Sequence, residues 1–246
     1  MTPVSDAPDW DARWVTSSAT QLDMPQAWRG VETQYASATL RLVDSYAEHD
    51  VLEQLLEGSK PPLPEVDGPR KHFLLTTPFR YTPRHDSRFR RAGQGRHGLW
   101  YGAGQLQGAC AEVAYWRMRF ILDSVGLAQR QIVTRHTFFC ARVAGRGIDL
   151  MAPPWLAWRA GWRDGADYTQ THRLSEAAES AGMAVIGYES VRAPGCPCVA
   201  VLTPDALHEP PGGLDATRQA WTCTATRDQA LMHADADRKH RFEWCF

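Results

Sequence analysis

Arg96-His97-Gly98-Leu99-Trp100-Tyr101-Gly102-Ala103-Gly104-Gln105-Leu106-Gln107-Gly108-Ala109-Cys110-Ala111-Glu112-Val113-Ala114-Tyr115-Trp116-Arg117-Met118-Arg119-Phe120 is the stretch from which the fold is read. The aromatic run Leu99–Trp100–Tyr101 reads as a short strand that passes through a glycine turn into a helix. Ala109, Val113, Trp116 and Phe120 recur at helical spacing, which predicts a single apolar stripe. Glu112 falls about 60° from the centre of that stripe on a helical wheel. Its carboxylate therefore sits at the edge of a buried face near the helix start, where the macrodipole favours negative charge. A charge on that border either pairs with a cation or acts on a ligand.

The surrounding chain sets the frame for that choice. Its 246 residues suffice for one large domain or a domain with an extension. With 43% hydrophobic and 22% charged residues the composition is that of an ordinary soluble protein. The formal net charge of -1 gives no basic excess, so direct nucleic-acid binding is not expected. The polar, acidic N-terminus lacks the pattern of a signal peptide, and no apolar run approaches a membrane span. A cytoplasmic location is expected. Cys196-Pro-Cys198 is the one short-range cysteine pair, and neither its spacing nor its setting is that of a zinc site. No metal is expected, since HExxH is also absent.

Taken in order, Pro25 opens a helical pattern through Trp28, Val31, Tyr35, Ala38, Leu42 and Tyr46. A second pattern, Val51, Leu52, Leu55 and Leu56, stops at Gly58. The proline-rich stretch from Ser59 to Pro69 reads as a linker. Residues 1–69 are thus an N-terminal helical extension with its linker, and residues 70–246 the main domain. Phe79-Arg80-Tyr81-Thr82 reads as a strand, and the basic run from His85 to Arg91 as a loop. Further strands are expected at 131–143, 148–150, 183–188, 198–202, 218–226 and 242–244, with helices at 153–162 and 168–181. The fold class is α+β, a compact mixed sheet with surrounding helices.

Two glycine patterns test a dinucleotide fold and fail it. Gly93-x-Gly95-x-x-Gly98 follows a basic loop and precedes a strand, the reverse of the context the motif needs. Gly102-x-Gly104-x-x-x-Gly108 has strand before and helix after, but no second strand with a terminal acid follows about twenty residues on. A helix N-terminus can still hold an anion without that fold. Among the arginines, Arg90, Arg91 and Arg96 read as a solvated loop. Arg80, between Phe79 and Tyr81, is suited to bidentate phosphate contact if a sheet holds it. Tyr81 and Tyr101 offer flat faces to a base or nicotinamide ring, or simply pack in the core. Ser190 lacks the GxSxG elbow, and Glu189 reads as a solvated or structural charge.

Together these pieces resemble the RES-domain family. The resemblance rests on Phe79-Arg80-Tyr81, Ser87-Arg88-Phe89, Leu99-Trp100-Tyr101-Gly102-Ala103, Ala109-x-x-Glu112 and Gly187-Tyr188-Glu189-Ser190-Val191-Arg192, in the family's order. Trp28-Arg29-x-Val31-Glu32-x-Gln34 and Leu42-Val43-Asp44-Ser45 resemble the extension of one subgroup. The resemblance implies a fold similar to ADP-ribosyltransferases and a bacterial toxin that consumes NAD⁺. The ADP-ribose acceptor would be water, phosphate or a protein, and the partner an antitoxin with a helix-turn-helix DNA-binding domain. It implies Glu112, Ser190 and Arg80 as catalytic residues. Tyr81, Arg88 and Tyr101 would bind NAD⁺, with Arg96 as the substitute for Arg88 as the second family arginine. No cofactor beyond NAD⁺ as substrate is implied.

The chemistry fits these residue types. Cleaving the nicotinamide–ribose bond builds an oxocarbenium-like centre that a carboxylate stabilises, and arginines clamp a pyrophosphate. Two alternatives remain beside NAD⁺ cleavage by a toxin. One is mono-ADP-ribosylation of a specific cellular protein. The other is a catalytically silent module that binds a nucleotide or a partner.

Overall fold

The computed structural model describes residues 10–33, 37–40 and 42–245. Its strands are β1 (Thr20–Glu32), β2 (Trp100–Ala103), β3 (Ile132–Asp149), β4 (Val185–Glu189), β5 (Pro197–Val201), β6 (Leu207–His208), β7 (Gln219–Ala225), β8 (Gln229–Ala234) and β9 (Arg241–Cys245). Its helices are α1 (Ala12–Ser17), α2 (Ser37–Leu40), α3 (Tyr46–Ser59), α4 (Phe73–Thr76), α5 (Leu106–Leu122), α6 (Arg159–Trp162) and α7 (Thr169–Ser180). All nine strands belong to one mixed sheet, so the α+β class expected from the sequence holds.

The sheet closes on itself. β1 runs antiparallel to β3 along almost its whole length and also meets β2, at Trp28 opposite Ala103. β2 pairs with β5, β5 with β4, and β4 returns parallel to the end of β3. These five strands form a ring, and β7, β8 and β9 extend the sheet from the first half of β3. Helix α5 lies against β1, β2, β7, β8 and β9, which places its buried face over the middle of the sheet.

Three expectations are corrected here. The helix from Pro25 to Tyr46 does not form, because residues 20–32 are strand β1. Its backbone groups find partners on β3 from Thr20 to Glu32, which outweighs an accidental helical spacing of Trp28 and Val31. Pro25, which has no N–H to donate, falls at the irregularity between Met24 and Ala27, a position where proline is tolerated. Gly30 admits the Phe138 ring: a Cβ there would lie 2.5 Å from Phe138 Cε1. Tyr35 and Gln34 lie outside the described residues, while the second pattern does form α3.

Phe79-Arg80-Tyr81-Thr82 is likewise not a strand. Residues Thr77–Phe79 make a 3₁₀ turn with Pro78 in its first positions, and Arg80 keeps helical dihedrals. Proline's fixed φ suits a helical first turn, and the buried Phe79 anchors it. The third correction concerns 131–143 and 148–150, which are one strand, β3. Glycines that look like a break are required by close approach: a Cβ on Gly147 would run into the Val185 carbonyl oxygen of β4.

Helix α5 buries a different stripe from the one predicted. Cys110, Ala111, Ala114, Met118 and Ile121 face the core, whereas Trp116 and Phe120 are half exposed. Small residues let the helix approach closely; a Cβ on Gly108 would collide with Cys196 Sγ. The bulkier stripe of Ala109, Val113 and Trp116 instead faces an open cleft. Trp10 and Trp14 pack with Trp155, Trp158 and Trp162, with ring centroids 4.5 to 5.7 Å apart. Asp11 caps α1 by accepting from Trp14 N at 2.8 Å. Among the described residues no helix is long and apolar enough to cross a membrane.

Candidate active site

A cleft of about 330 Å³ opens between β1, α5, the Ser87–Arg88 loop and the end of β4. Glu112 lies in its wall, in the second turn of α5, and Ser190 stands directly behind it. Ser190 Oγ–H donates to Glu112 Oε1 at 3.2 Å. The same Oγ accepts from the amides of Arg192 (3.1 Å) and Ala193 (3.0 Å). Those two amides fix the hydroxyl so that its proton points at the carboxylate. Ser190 is completely buried, so it acts on Glu112 rather than on anything in open solvent. The sequence places it there because β4 ends at Glu189 and the chain turns at once into β5.

Burial pushes the Glu112 carboxyl above its ordinary range, and the Arg192 guanidinium, the Ser190 hydrogen bond and Arg88 pull in the other direction. The carboxylate is therefore half-buried at the cleft wall and flanked by two cations. Arg192 stacks over Tyr115, 3.5 Å from the ring centroid, and donates to the Gly165 carbonyl at 3.3 Å. Arg88 donates to the carbonyls of Trp162 (2.6 Å) and Asp164 (3.0 Å) and sits over the Tyr168 ring. One loop, 162–168, thus supplies acceptors for both arginines. Cation–π contacts of this kind are worth about 0.5–2 kcal/mol each and restrict where the guanidinium can point.

Tyr101 contributes to the opposite wall. Its hydroxyl pairs with Ser87 Oγ at 2.9 Å and accepts from Phe89 N at 3.2 Å; burial raises its pKa. Helix α7 holds this loop in place: His172 bonds the Ser87 carbonyl at 2.8 Å, and Thr171 Oγ1 donates to the Arg88 carbonyl. Glu112, Ser190, Arg88 and Tyr101 are therefore brought together as the sequence suggested.

Arg80, Tyr81 and Arg96 are not part of the cleft. Arg80 is held by Glu57 of α3 (2.7 Å) and by the Pro61 carbonyl. Tyr81, next to it on the turn, is 40% exposed. Arg96 pairs with Glu179 at 2.9 Å. Arg90, read as solvated, is buried against the same glutamate in a two-pronged ion pair. Of the two arginines weighed for the second position, Arg88 is the one that lines the cleft. Glu189 pairs with Arg159 (2.6 Å) and accepts from Gly195 N, a structural use.

Several lining residues were not singled out from sequence. Arg29 on β1 reaches the cleft, donates to the Tyr101 carbonyl at 3.1 Å and lies over Trp100. Burial lowers its pKa to about 10, which still leaves it charged at neutral pH. Trp28, Trp116 and Tyr188 add aromatic wall, and Arg192 is the second cation beside Glu112. Arg29 lies in the Trp28-Arg29-x-Val31-Glu32 run, whose helical spacing masks its place on strand β1.

An electropositive, aromatic-walled cleft in which Glu32 is paired with Arg117 and Glu112 is half-buried beside two arginines suits an anionic ligand that carries a flat ring and a centre of developing positive charge. Among curated proteins none matches the chain. The RES domain family model matches residues 62–226, about two thirds of the chain, and spans Arg88, Tyr101, Glu112 and Ser190. This chain belongs to the RES domain family.

Proposed function

We propose that the protein cleaves NAD⁺ at the nicotinamide–ribose bond, as the toxin of a toxin–antitoxin pair. The RES family is associated with toxin–antitoxin systems and NAD-related activity. The observation that carries the reading is the Glu112–Ser190 pair, with Ser190 buried behind the carboxylate and Arg88 and Arg192 flanking it at the cleft wall. Glu112, ionised, faces the ribose as its anomeric carbon gains positive charge, and nicotinamide departs as a neutral molecule needing no acid. Ser190 keeps the carboxylate oriented through its O–H. Arg88 and Arg192, with Arg29 across the cleft, neutralise the pyrophosphate and fix the ribose for departure. Tyr101, Tyr188, Trp28 and Trp116 supply faces for the two rings.

ADP-ribose then passes to water, phosphate or a protein, and an antitoxin carrying a helix-turn-helix domain holds the enzyme in check. Purified protein incubated with NAD⁺ tests the reading. Nicotinamide release in buffer identifies hydrolysis, and a product that forms only with added phosphate identifies phosphorolysis. Label moving onto one band of a lysate identifies protein ADP-ribosylation. If all three conditions leave NAD⁺ intact, the cleavage proposal fails and a binding role takes its place.

A further inference from the structure

The cleft continues along α5 past the groups that the chemistry above uses. Arg117 lines it five residues beyond Glu112, about 7.5 Å further along the helix axis. Val113 and Trp116 line the helix between them. Across from Arg117, Glu32 of β1 stands opposite His136 of β3, so the two side chains share one face of the sheet. Arg117 Nη2 reaches Glu32 Oε2 at 2.9 Å and ties α5 to β1 at this end. Two polar atoms here are buried with no hydrogen-bond partner among the described residues, Arg117 Nε and His136 Nδ1. His136 is only 2% exposed, and its Nε2 is already bonded to Thr134 Oγ1 at 2.8 Å. Burial, helped by Arg117, lowers its pKa to about 4, so the imidazole is neutral at pH 7. Glu32 keeps acceptor capacity, because a carboxylate offers more lone pairs than one ion pair uses. This end of the cleft therefore sets an acceptor beside a donor with no net charge. A phosphate would meet the Glu32 carboxylate there, whereas a neutral group that both donates and accepts fits.

We propose that Glu32, Arg117 and His136 form the subsite for the nicotinamide carboxamide and set a preference for the amide over the acid at that ring position. Glu32 accepts one amide N–H, and Arg117 Nε–H donates to the amide carbonyl. His136 Nδ1 takes the second amide hydrogen while its Nε2–H donates to Thr134. The bond to be broken joins the ring directly to the ribose at Glu112, so the ring belongs within one or two helical turns of that carboxylate. Adenine is a pyrophosphate and a second ribose further away, on the far side of the groups drawn to Arg88 and Arg192. Trp116, half exposed on the cleft wall, offers its face to the positively charged pyridinium. A ring acid in place of the amide would bring a second carboxylate against Glu32 and leave it without a donor. Glu32 lies on β1, outside residues 62–226, so the segment that precedes the family match supplies this end of the cleft. The subsite deepens the reading of NAD⁺ cleavage and rests on it.

The test compares the full-length wild type with Glu32→Gln on NAD⁺ and on nicotinic acid adenine dinucleotide, reading kcat/KM for each. The wild type is expected to favour the amide at least about tenfold. In Glu32→Gln the new side-chain amide donates to an acid and Arg117 is released to pair with it, so the ratio should fall to about one or reverse. Because the ratio is taken within one protein, a general loss of stability or turnover cancels. An unchanged ratio would overturn the subsite. So would a variant that alters only the preference between NAD⁺ and nicotinamide hypoxanthine dinucleotide, which would put adenine at this end. Saturation-transfer NMR with nicotinamide and with nicotinate judges the subsite without turnover: the wild type is expected to bind nicotinamide alone, and Glu32→Gln both. That pattern in a protein that leaves NAD⁺ intact would contradict the cleavage reading and keep the subsite. Equal binding of the two compounds by the wild type, or of neither, would overturn it.

Discussion

Glu112 has opposed influences that give it a measurable signature. Its folded pKa is raised, so the unfolded state gives up its proton first as pH rises. Between the ordinary carboxylate value and the raised folded value, ionisation favours the unfolded chain, and stability falls through that window. Glu112→Gln removes this dependence. Denaturation midpoints of wild type and Glu112→Gln should therefore draw together below about pH 4 and separate above it, with the variant the more stable. A variant less stable at every pH would show the carboxylate to be structural. Arg29 and Arg80 give a second contrast at this scale. Arg29→Ala is expected to raise KM for NAD⁺ about 10- to 100-fold, the loss of one charge-assisted contact worth about 1.5–3 kcal/mol. Arg80→Ala, which removes the link to Glu57 and Pro61 and no group that lines the cleft, should leave KM within about twofold. Equal effects in both would refute the placement of the cleft. Glu112, Ser190, Arg88 and Tyr101 could be picked out in the sequence because local motifs mark them. Arg29 could not, because its use depends on which strand it joins.

The elements divide in the same way. Helix α5, α7 and the strands β4, β5 and β7 are written in local pattern, with periodicity and stop residues agreeing, as at Gly182 (φ +68°) beyond α7. β1 is decided by long-range pairing to β3, which no window of its own sequence contains. The stripe on α5 keeps the helical period its sequence predicts, but its bulky residues line a cleft while alanines make the core. The tryptophan cluster acts at this scale too. Trp10 and Trp14 of the N-terminal segment pack on Trp155, Trp158 and Trp162, next to the loop whose carbonyls hold Arg88 and Arg192. Trp10→Ala should cost about 3–5 kcal/mol in urea unfolding and raise KM for NAD⁺. A stability loss with unchanged KM would mean that the cluster does not position the arginines.

At the scale of the whole molecule, the ring of β1, β2, β5, β4 and β3 is the frame, and it is not contained in residues 62–226. That segment lacks β1 as well as β8 and β9, which lie against α5. Expressed alone, it should show no cooperative unfolding transition and no NAD⁺ consumption, with exposed apolar surface that binds a dye such as ANS. A cooperative transition from the fragment would show that the strands outside it are accessory. Fold class was readable from the alternation of strand and helix signals, whereas closure of the sheet was not, because a ring is a property of pairings rather than of segments. The most direct test of the account as a whole is nicotinamide release from NAD⁺, followed by proton NMR for wild type and Glu112→Gln side by side. Release by the wild type and a fall of at least about a thousandfold in the folded variant is the predicted result. Equal release by both proteins would remove Glu112 from the chemistry and contradict the account.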